Sequence, residues 1–246
     1  MAKINISNTI DEVLSSLAEY FIHAANQSIA EQGSFTVALS GGTSPKRFYS
    51  LLSSSPYKER IDWGKLYFFF GDERYVPATD EASNFLMVNK ILFEPLNIDS
   101  KKIFSVDTML PPDEAASTYM ENIKNHFGSK QPRFDLVLLG LGDNSHTASL
   151  FPHTPILQEE EATVRAVFLE DQQLYRVSFT APLINLAKRI AFLIYGEAKA
   201  AAVNHVLNGD YHPEEFPAQL INPKEGELVW FMDRGAAAML TNPPVH

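Results

Sequence analysis

Phe134-Asp-Leu-Val-Leu-Leu-Gly-Leu-Gly-Asp-Asn-Ser-His-Thr-Ala-Ser-Leu-Phe-Pro152 is the stretch on which the fold of this chain turns. Phe134 to Leu139 are mostly aliphatic and read as a strand buried on both faces, as in a parallel sheet covered by helices. They run into Gly140-Leu-Gly142, a turn too tight for bulky side chains, and then into Asp143, Asn144, Ser145 and His146. In an open α/β sheet ligands bind beyond the carboxyl ends of the strands, so His146 stands where it would meet a substrate. Asn144 and Ser145 are placed to orient the imidazole or the substrate. The dinucleotide fingerprint G-x-G-x-x-G fails at its third glycine, where Ser145 stands, and no nicotinamide cofactor is expected.

Working outward, strands alternate with helices. Thr9-Ile-Asp-Glu12 is a capping-box pattern opening a helix whose apolar positions, from Ile10 to Ile29, keep helical spacing. Ser34 to Leu39, Leu66 to Phe70, Val164 to Phe168, Tyr175 to Phe179, Arg189 to Tyr195 and Leu228 to Phe231 read as further strands. Helices are expected through about Leu52, over Asn84 to Phe93, over Asp113 to Phe127 and over Glu197 to Leu207. This order predicts an α/β fold, a Rossmann-like doubly wound and mostly parallel sheet with helices on both faces. No repeat, low-complexity tract or long linker divides residues 1–246, and a single domain is expected.

Composition narrows the function. With 45% hydrophobic and 20% charged residues the 246-residue chain is an ordinary globular protein. No apolar run approaches the ~20 residues that span a bilayer. Met1-Ala-Lys-Ile-Asn5 lacks the hydrophobic core of a signal peptide, so a cytoplasmic location is expected. The absence of cysteine excludes disulfides, thiolate metal sites and cysteine nucleophiles. A net charge of −10 argues against nucleic-acid and anionic-membrane partners, which need a basic footprint. A small anionic substrate remains possible where a few cations are concentrated, and a monomer is expected.

Two further strand ends join the histidine loop. In Leu39-Ser-Gly-Gly-Thr-Ser-Pro-Lys-Arg47, Thr43 or Ser44 can cap a helix and Pro45 suits its first turn. Gly41 and Gly42 let the backbone approach a ligand, and the helix start offers free N–H groups with the positive dipole end. The Walker A spacing is absent. In Phe68-Phe-Phe-Gly-Asp-Glu-Arg-Tyr75 a strand of aromatics delivers three charges at its end. Arg74 can grip an anion while Asp72 orients a hydroxyl or water, and Glu73 paired with Arg74 on the surface is the plain alternative. Lys199, in Tyr195-Gly-Glu-Ala-Lys-Ala200, is either solvated or a second phosphate ligand. His153 has no cysteine or paired carboxylate nearby, so no metal site is expected. With an unperturbed pKa of ~6.5, histidine is the side chain suited to take a proton from water near neutral pH, which singles out His146.

Taken in order, these segments resemble the 6-phosphogluconolactonase family, within the superfamily that also holds glucosamine-6-phosphate isomerase or deaminase. The resemblance runs from about Val37 to Ala238. It rests on Leu39-Ser-Gly-Gly-Thr-Ser-Pro45, Phe70-Gly-Asp-Glu-Arg74 with Ser83-Asn84, and Gly140-Leu-Gly142 through Pro152. Arg176-Val-Ser178, Gly196-Glu-Ala-Lys199 and Pro217-Ala-Gln-Leu220 add to it. It implies hydrolysis of 6-phospho-D-glucono-1,5-lactone to 6-phosphogluconate, without metal or organic cofactor. By that resemblance His146 is the general base, with Asp72 and Arg74 beside it. Gly41, Gly42, Thr43, Arg74, Lys199, Asn144 and Arg176 would contact the substrate. The chain departs from the family pattern at Asn144-Ser145, where Asp-Gly is usual. Asn144 still offers an acceptor oxygen without the charge, and Ser145 must fit a backbone that usually carries glycine.

Two other readings stay open at this point. An amino-sugar phosphate isomerase or deaminase would use a carboxylate shortly after the histidine, yet the next acid after His146 is Glu159. A non-catalytic sugar-phosphate-binding module would be expected to carry a DNA-binding extension or a basic face.

Overall fold

The structure is a computed structural model that describes residues 2–240. Thr9 Oγ1 accepts the Glu12 amide and the Glu12 carboxylate accepts the Thr9 amide, so the capping box starts α1 (Ile10–Gln32). Ahead of it lies β1 (Lys3–Ser7), an edge strand that the sequence reading missed although Ile4 and Ile6 alternate with polar neighbours. The chain continues through β2 (Phe35–Leu39), α2 (Thr43–Leu52), β3 (Leu66–Phe70) and the short β4 (Asp72–Arg74). Next come α3 (Asn84–Val88), α4 (Pro112–Phe127), β5 (Leu136–Leu139), β6 (Val164–Leu169) and β7 (Leu174–Phe179). It ends with α5 (Ala181–Asn185), β8 (Arg189–Ile194), α6 (Ala200–Leu207) and β9 (Glu227–Asp233).

Six strands form one wholly parallel sheet in the order β1-β9-β8-β5-β2-β3. The order reverses between β2 and β5, because β3 lies beyond β2 while β8 and β9 lie beyond β5. Such a switch point opens a crevice at the carboxyl ends of the two central strands. Alternate residues of the sheet feed two cores. Val37, Phe68, Leu138, Ala191 and Phe231 pack with α1, α2 and α3. Ala38, Phe69, Val137, Phe192 and Trp230 pack with α4, α5 and α6. The doubly wound architecture read from the sequence is therefore correct.

Several boundaries differ. The Val164 and Tyr175 segments are strands, but they pair antiparallel with each other, and the Tyr175 strand with β4, in a separate three-stranded sheet, β4-β7-β6. The chain passes between the sheets at Gly71, whose N–H donates to Leu39 O and whose carbonyl accepts the Phe179 N–H, both at 2.8 Å. The helix expected over Asn84 to Phe93 is α-helical only to Val88 and then opens into one π-turn, Asn89–Phe93. The helix expected from Glu197 begins as a 3₁₀ turn, Glu197–Lys199.

Candidate active site

The switch point holds a cavity of about 450 Å³, within the range of small-molecule sites. Its walls come from the ends of β2, β5 and β8 and from β4 and β7. Gly41, Gly42, Thr43, Asp72, Arg74, His146, Arg176 and Lys199 all line it. Asn144 does not. It lines a neighbouring cavity and reaches His146 from behind.

The β2 end supplies an anion cradle. Gly42, at φ 104°, is the N-cap of α2, and no side chain caps the helix. The cap expected from Thr43 or Ser44 is thus absent, because both residues already lie within the first turn. Among the described residues the amides of Gly41, Gly42, Thr43 and Ser44 make no hydrogen bond, so they are left for a ligand. Tyr49 braces the turn from inside, since its hydroxyl donates to Ser40 O at 2.9 Å and accepts from Ser40 N at 3.0 Å.

The β3 end supplies the charges. Glu73 is not the surface partner of Arg74. It is 3% exposed, and its carboxylate accepts the amides of Arg74, Asn84 and Phe85 at 2.7–2.8 Å and the Ser83 hydroxyl at 3.2 Å. Burial pushes its pKa up, offset only in part by those amides. Arg74 faces Arg176 directly across the β4–β7 ladder. Two like charges opposite each other are unfavourable unless an anion bridges them. Arg74 Nη1 donates to Ala82 O at 2.7 Å, and Arg176 donates to the Gln172 side chain. Burial, with Arg74 second, lowers the Arg176 pKa. Lys199 reaches the cavity from the 3₁₀ turn and meets Asp143 at 2.6 Å.

The β5 end supplies the base. His146 Nδ1 lies 2.5 Å from Asn144 Oδ1. The His146 backbone N–H points at the same oxygen at 3.4 Å, which identifies that atom as the acceptor and places the imidazole proton on Nδ1. Among the described residues Nε2 makes no hydrogen bond. The ring stacks on Phe151, with centroids 3.9 Å apart, and lies against Gly142, where a Cβ would stand 2.0 Å from Nδ1. Burial, opposed first by Asp72 and reinforced by Lys199 and Arg176, lowers its pKa to about 4. Ser145 takes φ 61°, a left-handed conformation that glycine adopts freely and serine does not.

Six buried side-chain polar atoms of the described residues lack a hydrogen-bond partner: Ser40 Oγ, Arg74 Nε, Asn84 Oδ1, Arg176 Nε, Tyr195 OH and Trp230 Nε1. Five of them belong to residues lining this one cavity. Buried polar groups are ordinarily paired, so the concentration marks a place prepared for a polar ligand.

Residues 8–230 match the family described as glucosamine-6-phosphate isomerases/6-phosphogluconolactonase. The chain belongs to this family. A 6-phosphogluconolactonase of Synechocystis sp. is 37% identical to it, covering 87% of this chain and 88% of its own. A probable 6-phosphogluconolactonase of Arabidopsis thaliana is 34% identical, covering 97% of this chain and 93% of its own. Among solved structures, 6-phosphogluconolactonase from Trypanosoma cruzi superposes with a TM-score of 0.87 at 26% identity, covering 98% of both chains.

Within this member of the isomerase and lactonase family, sequence reasoning missed several residues of the site. Ser149, Phe151, Gln172 and Tyr195 line the cavity. Asn84 was noted only as part of a motif, yet its side chain donates to Asp72 O at 2.9 Å and fills the space a Gly41 Cβ would need, 1.8 Å from Asn84 Oδ1. The signal for Ser149 and Phe151 was at hand, since both lie in the histidine segment itself.

Proposed function

We propose that this chain hydrolyses 6-phospho-D-glucono-1,5-lactone to 6-phospho-D-gluconate. One observation carries the reading: the His146 imidazole, its Nδ1 turned to Asn144 Oδ1, keeps Nε2 unengaged in a cavity that also holds free helix-start amides and three cations. The phosphate sits on the Gly41-Gly42-Thr43 turn with Arg74, Arg176 and Lys199. His146 Nε2 takes a proton from water as the water oxygen bonds to C1. Asp72 orients that water or a sugar hydroxyl, and backbone N–H groups or a nearby cation balance the negative charge that develops on the C1 oxygen. Collapse of the tetrahedral species breaks the C1–ring oxygen bond, and the imidazolium returns its proton to the departing oxygen. The product is the open-chain acid with a free hydroxyl. The lactone is an activated ester, so a positioned base suffices and no covalent nucleophile is invoked. Asn144 acts on the substrate side only through His146.

Asp72 is the only carboxylate lining the cavity among the described residues. Glu159, the first acid after the histidine, is ion-paired with Arg165 at 2.9 Å on the neighbouring cavity. Proton transfer between C1 and C2 with a second carboxylate beside the histidine therefore has no group to perform it. The same proposal takes the chain as a cytoplasmic monomer acting on a small phosphorylated lactone, with no nucleic-acid or membrane partner. The net charge of −10 supports it, and no described helix is long and apolar enough to cross a membrane.

The test is hydrolysis of freshly generated lactone against its spontaneous background. Wild type should exceed background, and His146→Ala should lose about 10²-fold or more in kcat, the usual worth of a general base. A His146→Ala protein with wild-type kcat overturns the assignment of the base.

A further inference from the structure

Asp72 is held from two sides by loops that are distant in sequence. Ser149, fully buried, donates its Oγ–H to Asp72 Oδ2 at 2.7 Å. Asn84 Nδ2 reaches Asp72 Oδ1 at 3.5 Å and Asp72 O at 2.9 Å. Ser149 is itself fixed, because its N–H donates to Ser178 Oγ at 3.1 Å, and Ser178 is the cross-strand neighbour of Asp72. A tight turn between Thr147 and Leu150, with Ala148 at φ 47°, carries the chain from His146 to this contact. A left-handed alanine is costly and persists only where the surroundings demand it. One loop therefore carries the base at His146 and, three residues on, the hydroxyl that grips Asp72.

We propose that Ser149 is a positioning residue for the hydrolytic reaction: its hydroxyl fixes the Asp72 carboxylate at the cavity wall, so that His146 and Asp72 are presented as one rigid pair. The proposal rests on the catalytic roles given above to His146 and Asp72. The hydroxyl's one proton is given to Asp72, and it acts through that carboxylate. A carboxylate is a strong acceptor, and a charge-assisted hydrogen bond holds it more firmly than packing would. Without the donor, Asp72 keeps only the long contact to Asn84 and is free to leave the orientation that serves the attacking water. The effect belongs to the chemical step, while the phosphate contacts of the Gly41-Gly42 turn are untouched.

A double-mutant cycle between Ser149→Ala and Asp72→Asn tests this, read by kcat and KM separately. Ser149→Ala should lower kcat about tenfold, one charge-assisted hydrogen bond's worth, with KM changed less than about twofold. In the Asp72→Asn background the same change should cost less than about twofold more. Ser149→Cys keeps the size with a weaker donor and should fall between serine and alanine. It also serves the cycle if Ser149→Ala does not fold. Losses that multiply in the double variant overturn the proposal, as does a raised KM with kcat intact. Wild-type kcat in Asp72→Asn overturns it too, and leaves the base assignment to be judged by His146→Ala.

Discussion

Asn144 meets the Nδ1 side of His146 with a neutral oxygen, so no charge at that nitrogen offsets the burial that sets the working pH of the base. Burial sets the imidazole pKa at about 4, and Asp72 only partly opposes it. The base is competent when neutral, so the acid limb of kcat/KM is expected near pH 4 rather than near the ordinary histidine value. Asn144→Asp puts a full negative charge against Nδ1, favours the imidazolium, and should move that limb upward by about one unit or more. A limb that stays in place would mean that the contact at Nδ1 does not govern the base. Stability carries the same sign. The unfolded chain takes up this proton near 6.5 and the folded chain only near 4, so the native state weakens as pH falls through that interval.

At the scale of elements, Glu73 joins β4 to α3. Its carboxylate collects three backbone amides and the hydroxyl of Ser83, which also caps α3 through the Leu86 amide at 3.1 Å. Glu73→Gln removes one acceptor oxygen and leaves at least one buried amide unpaired, at a cost of about 1–3 kcal/mol. Hydrogen exchange should show the Asn84 and Phe85 amides opening first, with KM rising as Arg74 loses its support. Unchanged protection of those amides would contradict the assignment. This junction was also the least legible part of the sequence. Asp72-Glu-Arg74 has no apolar alternation, and a buried acid paired with backbone rather than with a cation leaves no mark in side-chain polarity. The Ser149–Asp72 contact spans 77 positions and depends on a loop path that no periodicity encodes. By contrast, the β2, β3 and β5 ends were readable, because each couples a continuous apolar run to a glycine-marked turn. His146, Arg74 and Thr43 follow those turns directly. The switch point then brings them together.

Across the whole molecule the parallel sheet separates two cores, and the chain's two tryptophans report on one each. Trp63 packs beside the α1 and α2 layer and stacks on Phe21 at 6.5 Å, while Trp230 is buried in the α4 and α6 layer against Phe192. We propose that the chain unfolds as a single domain, since β2, β3, β5, β8 and β9 each feed both cores. Trp63→Phe and Trp230→Phe should each show one fluorescence transition coincident with the far-UV circular dichroism transition. Separate midpoints for the two faces would divide the chain. The five orphaned polar atoms at the switch point bear on this stability as well. A buried group without a partner weakens the ligand-free fold by about 1–3 kcal/mol. Heat resistance and turnover are therefore opposed at this cavity. A lineage selected for thermal endurance alone would drift toward apolar replacements at positions such as Ser40 and Tyr195, hardening the scaffold while stripping polar groups from the cavity wall.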